Sequence, residues 1–344
     1  MSDVYFLESE NARELLGLLD AAGIALAIKQ NDFTAIKIHF GEKGNIGYIK
    51  PETIKPVIQK IRAIGAIPFV TDANTIYRGQ RTDAVHHLML AAEHNFHPKF
   101  LGCPVVIADG LRGNNYVEVE ANLKHFKKIK VAEAIYNADV ILSIAHFKGH
   151  GLCGIGGAIK NMGMGCAARA GKYEQHNSIV PKVKTELCTA CGACVKWCGG
   201  GALELCPPIH LDPSKCIGCG QCILACNYKV FSLPWNEEAA VVQEKVAEYA
   251  AGVLKNKKAF FINFLTFITS QCDCFKTTAK PLMPDIGILA SQDPVAIDQA
   301  SIDLVTKHTG HDILKEKTGM DGRRQIEYAE KLGLGSRKYK LIAP

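Results

Sequence analysis

Two cysteine-rich segments near the middle of the chain constrain its fold more than any other feature of the sequence. Both have the spacing C-x2-C-x2-C-x3-C, and each cysteine of the second lies 28 residues after its counterpart in the first. The first segment comprises Cys188, Cys191, Cys194 and Cys198, and the second comprises Cys216, Cys219, Cys222 and Cys226. Three closely spaced thiolates can bind three iron atoms of one [4Fe–4S] cluster. The repeat therefore predicts two such clusters.

The fourth ligand of each cluster is expected to come from the other segment. In the pattern of bacterial two-cluster ferredoxins, the last cysteine of each run binds the cluster of the other run. We therefore expect one cluster on Cys188, Cys191, Cys194 and Cys226, and the other on Cys216, Cys219, Cys222 and Cys198. Zinc sites use pairs of C-x2-C instead, and disulfides do not require two copies in register.

One alternative ligand remains open. Proline usually follows the last cysteine of a ferredoxin run, but Gly199 follows Cys198 here. Cys206 is followed by Pro207, so Cys206 is an alternative to Cys198 as the fourth ligand. We favour Cys198 because it keeps the x3 spacing and the internal repeat. Cys206 is then interpreted as a small buried residue.

The composition is typical of a globular protein that works under reducing conditions. Hydrophobic residues make up 48% and charged residues 22% of the 344 residues, as in ordinary globular domains. Fourteen cysteines, many with metal-ligand spacing, indicate reduced thiols, so we expect a cytoplasmic protein. The N-terminus lacks the basic and apolar regions of a signal peptide. The longest apolar run, residues 260–268, is too short to span a bilayer, and no basic run indicates nucleic-acid binding.

Strands and helices alternate on both sides of the cysteine segments. Strands are predicted at residues 4–7, 35–40, 67–71, 104–108, 140–145, 260–267 and 286–290. Helices are predicted at residues 11–29, 51–64, 82–94, 131–138, 237–254, 295–307 and 324–332. This alternation predicts an α/β fold with a largely parallel sheet flanked by helices.

The resumption of strands after the cysteine segments predicts an insertion. We interpret residues 183–234 as a ferredoxin-like module with two [4Fe–4S] clusters, inserted into one α/β domain. The two parts of that domain are residues 1–182 and 235–344. The alternative is two α/β domains that flank the module, which the short C-terminal part disfavours.

Side chains that can bind metal follow several of the predicted strands. They are His39, Glu42, Asp72, Asp109, His146, Cys272, Cys274 and Asp293. In open parallel sheets, ligands bind beyond the carboxyl ends of the strands. Thiolate and imidazole suit iron, zinc or nickel, so we predict a further metal ion on His39, Cys272 and Cys274, with His146 and Asp72 as catalytic residues. The alternative is structural, since an aspartate after a strand often caps a helix, as expected for Asp293.

A glycine-rich segment follows the strand predicted at 140–145. It reads HFKGHGLCGIGGAIKN over residues 146–161, and its glycines are Gly149, Gly151, Gly154, Gly156 and Gly157. We expect these glycines to lead into a helix whose N-terminal N–H groups bind an anionic cofactor or substrate. Lys160 is predicted to be catalytic, and Lys148, Arg169 and Lys172 add positive charge.

Two features of this segment limit that interpretation. Its G-x-G-x-x-G spacing matches the dinucleotide-binding fingerprint, but the cysteine segments replace the strand and acidic residue expected next. Alternatively, one of the two histidines, His146 or His150, fastens the loop by hydrogen bonding to the backbone.

Five segments resemble the domain-of-unknown-function family numbered 362. They are KIHFGEKGN (37–45), TDANTIYRGQRTDA (71–84), HFKGHGLCGIGGAIKNMGMG (146–165), CDC (272–274) and PDIGILASQDPVAIDQAS (284–301). Members of this family often carry an inserted two-cluster ferredoxin module, so the resemblance implies the same insertion here. It also implies that the TDAN, HFKGH and CDC segments share one site.

These patterns predict an iron–sulfur electron-transfer protein that acts as an oxidoreductase. Electrons from a soluble carrier, such as a ferredoxin or a redox enzyme, would pass through the two clusters to a substrate or metal at the strand ends. The module accounts for a small part of the chain, so the α/β domain needs a role of its own. The alternatives are a non-catalytic electron carrier, a docking subunit of a redox complex, and a metal-handling or redox-sensing protein.

Overall fold

A computed structural model describes residues 1–9, 14–176, 180–233, 237–276 and 280–344. Its strands, in chain order, are β1 (Ser2–Glu8), β2 (Phe33–Lys37), β3 (Ile67–Asp72), β4 (Val105–Ile107), β5 (Tyr116–Glu120), β6 (Lys128–Ala132), β7 (Val140–His146), β8 (Lys148–His150), β9 (Gly154–Gly156), β10 (Lys182–Val183), β11 (Leu203–Glu204), β12 (His210–Leu211), β13 (Phe231–Ser232), β14 (Lys258–Leu265), β15 (Gly287–Ser291) and β16 (Tyr339–Ile342).

The helices, in chain order, are α1 (Leu15–Ala21), α2 (Ile24–Ala27), α3 (Pro51–Ala63), α4 (Ala84–Glu93), α5 (Pro98–Leu101), α6 (Glu133–Tyr136), α7 (Ala158–Lys160), α8 (Arg169–His176), α9 (Ala193–Trp197), α10 (Gln221–Ala225), α11 (Ala239–Leu254), α12 (Pro294–Thr309), α13 (Ile313–Thr318) and α14 (Arg323–Lys331). A π-helical turn follows α7 at Asn161–Gly165, and a 3-10 turn covers Thr185–Leu187. Among the described residues, no helix has the length and apolar composition needed to cross a bilayer.

Eight strands form one sheet, in the order β16-β1-β15-β14-β7-β2-β3-β4. The five strands from β14 to β4 run parallel to one another, and β1 runs parallel to β16. Strand β15 is antiparallel to both of its neighbours, β14 and β1. Helices pack on both faces of the sheet. The predicted α/β fold with a largely parallel sheet is therefore confirmed.

The central strand β7 shows why the sheet is covered on both faces. All seven of its residues are buried, and an apolar run of this kind is typical of a central parallel strand. Successive side chains of a strand point to opposite faces. Ile141 belongs to the core that contains Val246 of α11 and Ile297 of α12, whereas Leu142 belongs to the core that contains Leu18 of α1.

Two predicted helices differ from the structure. The helix predicted at 11–29 is divided into α1 and α2 by Gly23, which has a left-handed φ of 76°; residues 10–13 lie outside the described residues. The helix predicted at 131–138 is replaced at its start by β6, which pairs with β5 in an antiparallel hairpin. The alternating sequence YVEVE of β5 was the signal for this hairpin. Strand β16 was also missed, and it pairs with β1.

Residues 182–232 form a small unit that separates α8 from α11 in the chain. Within it, β10 pairs with β13 and β11 pairs with β12, both antiparallel, and α9 packs against α10. The strands β7 and β14, which lie before and after the unit in sequence, are parallel neighbours in the sheet. The chain thus leaves the sheet for this unit and then returns to it. The predicted bounds of the inserted module (183–234) and of the two parts of the α/β domain (1–182 and 235–344) stay predictions.

Candidate functional site

The carboxyl ends of β2, β3 and β7 open onto a cavity whose empty space, including the solvent at its open mouth, is about 780 Å³. Its lining is rich in lysine, histidine and cysteine. The charged, imidazole and thiol side chains on its wall are Lys37, His39, Asp72, Arg81, His146, Lys148, His150, Lys160, Lys172, His176, Cys272 and Cys274. The structure therefore brings together the strand-end residues predicted to be catalytic or to bind metal.

Asp72 is the carboxylate that balances part of this positive charge. Its Oδ1 lies 3.0 Å from Lys37 Nζ and its Oδ2 lies 3.6 Å from the Arg81 guanidinium. Burial by itself would raise the pKa of Asp72, but Lys37 and then His87 and His39 lower it well below its usual range. Asp72 is therefore an ionised group that positions Lys37 and Arg81, rather than a proton donor.

His146 is fixed in the cavity wall by both ring nitrogens. Nδ1 lies 3.1 Å from both carboxylate oxygens of Asp273, and Nε2 lies 2.9 Å from the carbonyl oxygen of Thr266. Lys148 donates to the same carboxylate at 2.9 Å and to the His146 carbonyl. Because both partners of the His146 ring are acceptors, the ring is in a positioning role and has no free nitrogen for a metal or for proton abstraction in this arrangement.

Cys272 and Cys274 meet in a tight turn at the cavity wall. The turn is closed by the Phe275 N–H, which donates to the Cys272 carbonyl at 3.3 Å. The two sulfur atoms are 3.1 Å apart. The hydrogen bond with Cys274 lowers the pKa of Cys272, and the positive charges of Lys160 and Lys148 lower it further. The turn therefore presents two sulfur atoms in contact, with the positive charges of Lys160 and Lys148 close to Cys272.

His39 lies beside this pair. Its Nδ1 accepts a hydrogen bond from the Gly41 N–H at 2.9 Å, so its Nε2 carries the proton of the neutral ring. Nε2 lies 3.4 Å from Cys274 Sγ, and burial lowers the pKa of His39. In the described residues, no three histidine, cysteine or carboxylate side chains converge to hold a single metal ion. The further metal ion on His39, Cys272 and Cys274 stays a prediction.

Two lysines of the cavity have pKa values that are shifted in opposite directions. Burial alone would lower the pKa of Lys160, but Cys272, Cys153 and Cys274 raise it above its ordinary value. For Lys172, burial is the main cause and lowers the pKa to about 8. Lys160 is therefore charged at neutral pH, while Lys172 loses its proton just above neutral pH.

The glycine-rich segment differs from the expected anion-binding loop. It forms the hairpin β8–β9 and then the single helical turn α7. The backbone N–H groups of Ala158 and Ile159 donate to the Asp298 carboxylate at 2.7 and 2.9 Å. The N-terminus of α7 is thus occupied by a side chain of the protein, so the prediction that it binds an anionic ligand is corrected.

Most of the five glycines predicted to bind a cofactor allow close packing instead. A Cβ at Gly154 would lie 2.3 Å from Gly322 N, and one at Gly149 would lie 2.8 Å from the Ser270 carbonyl oxygen. A Cβ at Gly157 would meet the Asp298 carboxylate, whereas a Cβ at Gly151 would point into open space. Of the five, Gly156 and Gly157 line the cavity.

The alternative interpretation of the two loop histidines describes His150 well. Its Nδ1 accepts the backbone N–H groups of Leu152 and Cys153 at 3.2 and 3.1 Å. Burial and the charge of Lys160 lower its pKa well below the usual range. His150 is therefore a neutral residue that fastens the loop. Arg169, expected to add charge nearby, donates to the carbonyls of Thr75 and Arg112 and does not belong to the cavity wall.

Three acidic residues after strands also serve the scaffold. Asp109 accepts from the backbone and side chain of Asn74 at 2.9 Å, and Glu42 accepts from Gln80 N and Arg81. Asp293 caps α12, as predicted, by accepting from the N–H groups of its first turn at 2.8 and 2.9 Å.

The two cysteine-rich segments lie in the unit of residues 182–232. We call them the ladders; the first run is residues 188–198 and the second run is residues 216–226. A cavity in this unit is lined by Cys188, Cys191, Cys194 and Cys226, which is the set expected to share one cluster. Burial raises the pKa of Cys219, and the neighbouring Cys198 and Cys216 raise it further. Cys198 therefore lies beside the second run. This grouping is the one that two [4Fe–4S] clusters with crossed ligands would require, and the clusters and their ligation stay predictions.

Cys206 differs from the prediction. It is exposed, whereas a small buried residue was expected. The cis peptide bond that follows it joins Pro207 to Pro208. Cys198 is half-buried, and its sulfur accepts from the Ala202 N–H at 3.2 Å. Backbone N–H groups directed at a sulfur are usual for a thiolate ligand.

A wall of side chains is shared between the strand-end cavity and the unit that carries the ladders. Ile76 and Tyr77 line the cavity, and they also pack in the apolar cluster that contains Cys194 and Cys226. Lys172 lines the cavity, whereas the adjacent Tyr173 faces the second run.

The contact of Tyr173 with the second run is close. A Cβ at Gly218 or Gly220 would lie 3.4 or 3.5 Å from the Tyr173 ring. Burial raises the pKa of Tyr173, and the thiols of Cys216, Cys222 and Cys219 raise it further. Helix α8 is therefore part of the same wall.

Several residues of the site were not selected from the sequence. They are Lys37, Tyr77, Arg81, Asn161 and His176. A usable signal existed for Lys37, since a lysine that ends an apolar strand is unusual in a buried parallel sheet. For Tyr77 and Arg81 the sequence offers no comparable signal, because they stand on a loop whose path is set by tertiary contacts.

Comparison with known families gives one match over most of the chain. The family described as Domain of unknown function (DUF362) matches residues 34–303. No curated protein matches the chain.

Two solved structures are similar over part of their length. One is the lactate racemase apoprotein from Thermoanaerobacterium thermosaccharolyticum, with 12% identity and a TM-score of 0.42 over 77% of this chain and 51% of that chain. The other is a protein from Thermotoga maritima, with 11% identity and a TM-score of 0.44 over 88% of this chain and 60% of that chain. This chain therefore spans about half to three-fifths of the length of each.

Proposed function

This chain belongs to the DUF362 family, and we propose from its own residues that it is an iron–sulfur oxidoreductase. In this proposal, electrons enter from a soluble carrier at the ladders and reach a small anionic substrate in the strand-end cavity. The observation that carries the proposal is the shared wall. Ile76 and Tyr77 line the cavity and also belong to, or pack against, the apolar cluster that contains the ladder cysteines Cys194 and Cys226.

The exposure of the ladder cysteines supports a direction for the path. Cys191 of the first run is exposed, so a soluble carrier can approach that run. Cys219 of the second run is buried beside Arg169, and Tyr173 packs on the same loop. When bound, [4Fe–4S] clusters supply electrons one at a time.

The charge of the cavity supports an anionic substrate. Lys37 and Lys148 form ion pairs with Asp72 and Asp273, whereas Lys160 lines the cavity near the sulfur atoms of Cys272, Cys153 and Cys274, with Asp273 as a weaker influence on its pKa. A substrate carboxylate can accept a hydrogen bond from the Lys160 ammonium, and bonds to charged groups contribute about 1.5 to 3 kcal/mol. Lys160 would therefore bind and orient the substrate.

The proposal is tested by the reoxidation of a reduced carrier. Anaerobically purified protein is supplied with reduced ferredoxin, and a set of small mono- and dicarboxylates is added one at a time. At least one carboxylate should speed the oxidation of ferredoxin, which is followed by its absorbance. For that carboxylate, Lys160→Ala should reduce kcat/KM by about tenfold or more, because one charged hydrogen bond is lost.

Lys255→Ala is the matched control. Lys255 is exposed and donates to the Glu120 carbonyl at 2.7 Å at the far end of α11, so its loss should leave turnover and iron content unchanged. If no carboxylate accelerates the oxidation while all the iron is present, the enzyme proposal fails and a non-catalytic carrier becomes the better description. If Lys160→Ala turns over normally, the lysine has no part in the mechanism.

A further inference from the structure

We propose that Cys272 and Cys274 form a reversible dithiol–disulfide couple that stores two electrons in the cavity. The inference rests on the proposed function for its electron source, and it assigns the sulfur pair a role other than metal binding. The two sulfur atoms are 3.1 Å apart on one tight turn. A disulfide bond is about 2.05 Å long, so a small movement within the turn would close it.

The surroundings of the pair suit thiol–disulfide chemistry. Cys274 accepts a hydrogen bond from the protonated Nε2 of His39, and Lys160 and Lys148 place positive charge nearby. A thiolate, rather than a thiol, attacks or leaves in disulfide exchange. These contacts therefore stabilise the sulfur charge that appears whenever the bond opens.

Asp273 fixes the turn between the two cysteines. Its buried carboxylate is held by His146 and Lys148, and its backbone carbonyl accepts from the Glu42 N–H at 3.1 Å. Because the middle residue is anchored at both groups, both sulfur atoms are held toward the cavity. This explains why His146 has no free nitrogen: it positions the turn.

The couple also lies on the electron path. Tyr77 lines the cavity beside Cys272 and Cys274, and its pKa is raised well above the usual range by burial and then by these two cysteines. The same tyrosine packs in the cluster of ladder cysteines. Tyr77 is therefore shared between the cavity that holds the sulfur pair and the apolar cluster that contains ladder cysteines.

The balanced step is a two-electron exchange. Reduction breaks the Sγ–Sγ bond, takes two electrons from a one-electron iron–sulfur donor acting twice, and takes two protons to give two thiols. Oxidation forms the bond and releases the same two electrons and two protons. A substrate in the cavity that accepts two electrons could then be reduced by the dithiol, which is itself regenerated by two successive one-electron transfers.

The test measures the sulfur atoms directly and needs no turnover. The purified protein is equilibrated anaerobically with a series of reduced and oxidised dithiothreitol mixtures, blocked with N-ethylmaleimide, digested and examined by mass spectrometry. The peptide with Cys272 and Cys274 should pass from a form with two N-ethylmaleimide groups to an unblocked internal disulfide, whose mass is two hydrogen atoms below that of the free dithiol peptide. The disulfide fraction should change at least tenfold across the series with a two-electron dependence.

Matched variants separate the outcomes. In Cys272→Ser the internal disulfide should be absent, while Cys153→Ser, which removes another buried thiol close to the cavity, should leave it unchanged. If the wild-type pair is recovered as two free thiols at every ratio, the inference is wrong. It is also wrong if a metal ion beyond the ladder iron is lost stoichiometrically in Cys272→Ser. The proposed function can fail in the ferredoxin assay while the disulfide is still found.

Discussion

At the scale of single residues, the cavity is a set of buried charges that are mostly paired. Asp72 and Asp273 each neutralise a lysine, and each also contacts a histidine. A buried charge without a partner is costly, so such pairs are needed before a cavity can be this rich in cations. Cys272 and Cys274 differ from these ion pairs, because the charge on a cysteine sulfur depends on whether it holds a proton, a metal or another sulfur.

The ladder cysteines give the first residue-scale prediction. Cys198→Ser should lose one of the two clusters, about four of roughly eight iron atoms, because its sulfur lies beside Cys219 and the second run. Cys206→Ser is the control and should keep all of the iron, since Cys206 is exposed. Iron and acid-labile sulfide are measured per protein after anaerobic reconstitution. The opposite pattern would assign the ligand to Cys206.

At the scale of elements, the short helix α7 and the long helix α12 depend on one carboxylate. Asp298 of α12 accepts from the first two N–H groups of α7 and from Asn263 of β14 at 2.8 Å. It thus joins the glycine-rich segment to the sheet. Burial raises the pKa of Asp298 to about 6, so its proton uptake is linked to stability.

Asp298→Ala should lower the free energy of unfolding by about 3 kcal/mol at pH 7.5, because it leaves buried donors without partners. The folded-state pKa is raised above the unfolded value, so the protonated form favours folding. The difference in the free energy of unfolding between wild type and Asp298→Ala should therefore become smaller as the pH rises from 5 through about 6. Thermal unfolding followed by circular dichroism at several pH values gives this difference.

Asp303→Ala is the control for that measurement. Asp303 stands on the same helix and accepts from Gln299 Nε2 and the Tyr339 hydroxyl at 2.9 Å, but it is only half-buried. Its replacement should lower the free energy of unfolding by about 1 kcal/mol or less. The difference from wild type should not change near pH 6. A large loss in Asp303→Ala and none in Asp298→Ala would contradict the role of Asp298 as a cap.

At the scale of the whole molecule, the cysteine unit is seated on the α/β domain by polar bonds as well as by apolar contacts. Arg78 of the loop after β3 donates to the carbonyls of Ile223 and Cys226. Gln221 donates to Asn114 at 3.1 Å, and the guanidinium of Arg112 lies 4.4 Å from the centre of the Trp197 ring. These bonds hold the second run against the shared wall.

Arg78→Ala should loosen this seat while the iron content stays at the wild-type level. The loss of a charged donor costs about 1.5 kcal/mol or more, so local opening should become about tenfold more frequent. Hydrogen–deuterium exchange of residues 221–226 measures the opening. Arg62→Ala is the control, since Arg62 is exposed and donates to the Gly102 carbonyl at 2.8 Å on another part of the domain. Equal exchange in both variants would show that Arg78 does not hold the unit.

The sequence by itself determined the features that depend on local spacing. Alternating strands and helices predicted the parallel sheet, and Pro294 after Asp293 marked the cap of α12. The regular repeat of cysteines predicted which thiols to group, because ligand spacing is local within each run. Several of the chosen strand-end residues line one cavity, since the carboxyl ends of parallel strands meet at one edge of a sheet, and their metal-binding or catalytic roles stay predictions.

Tertiary structure decided what each of those residues does. His146 was expected to be catalytic, but Asp273 and the Thr266 carbonyl occupy both of its nitrogens. The N-terminus of α7 was expected to bind an anion, but Asp298, which is 140 residues away in sequence, occupies it. Hydrogen-bond partners that are distant in sequence leave no local pattern, and they alone determine whether a polar group is free to react.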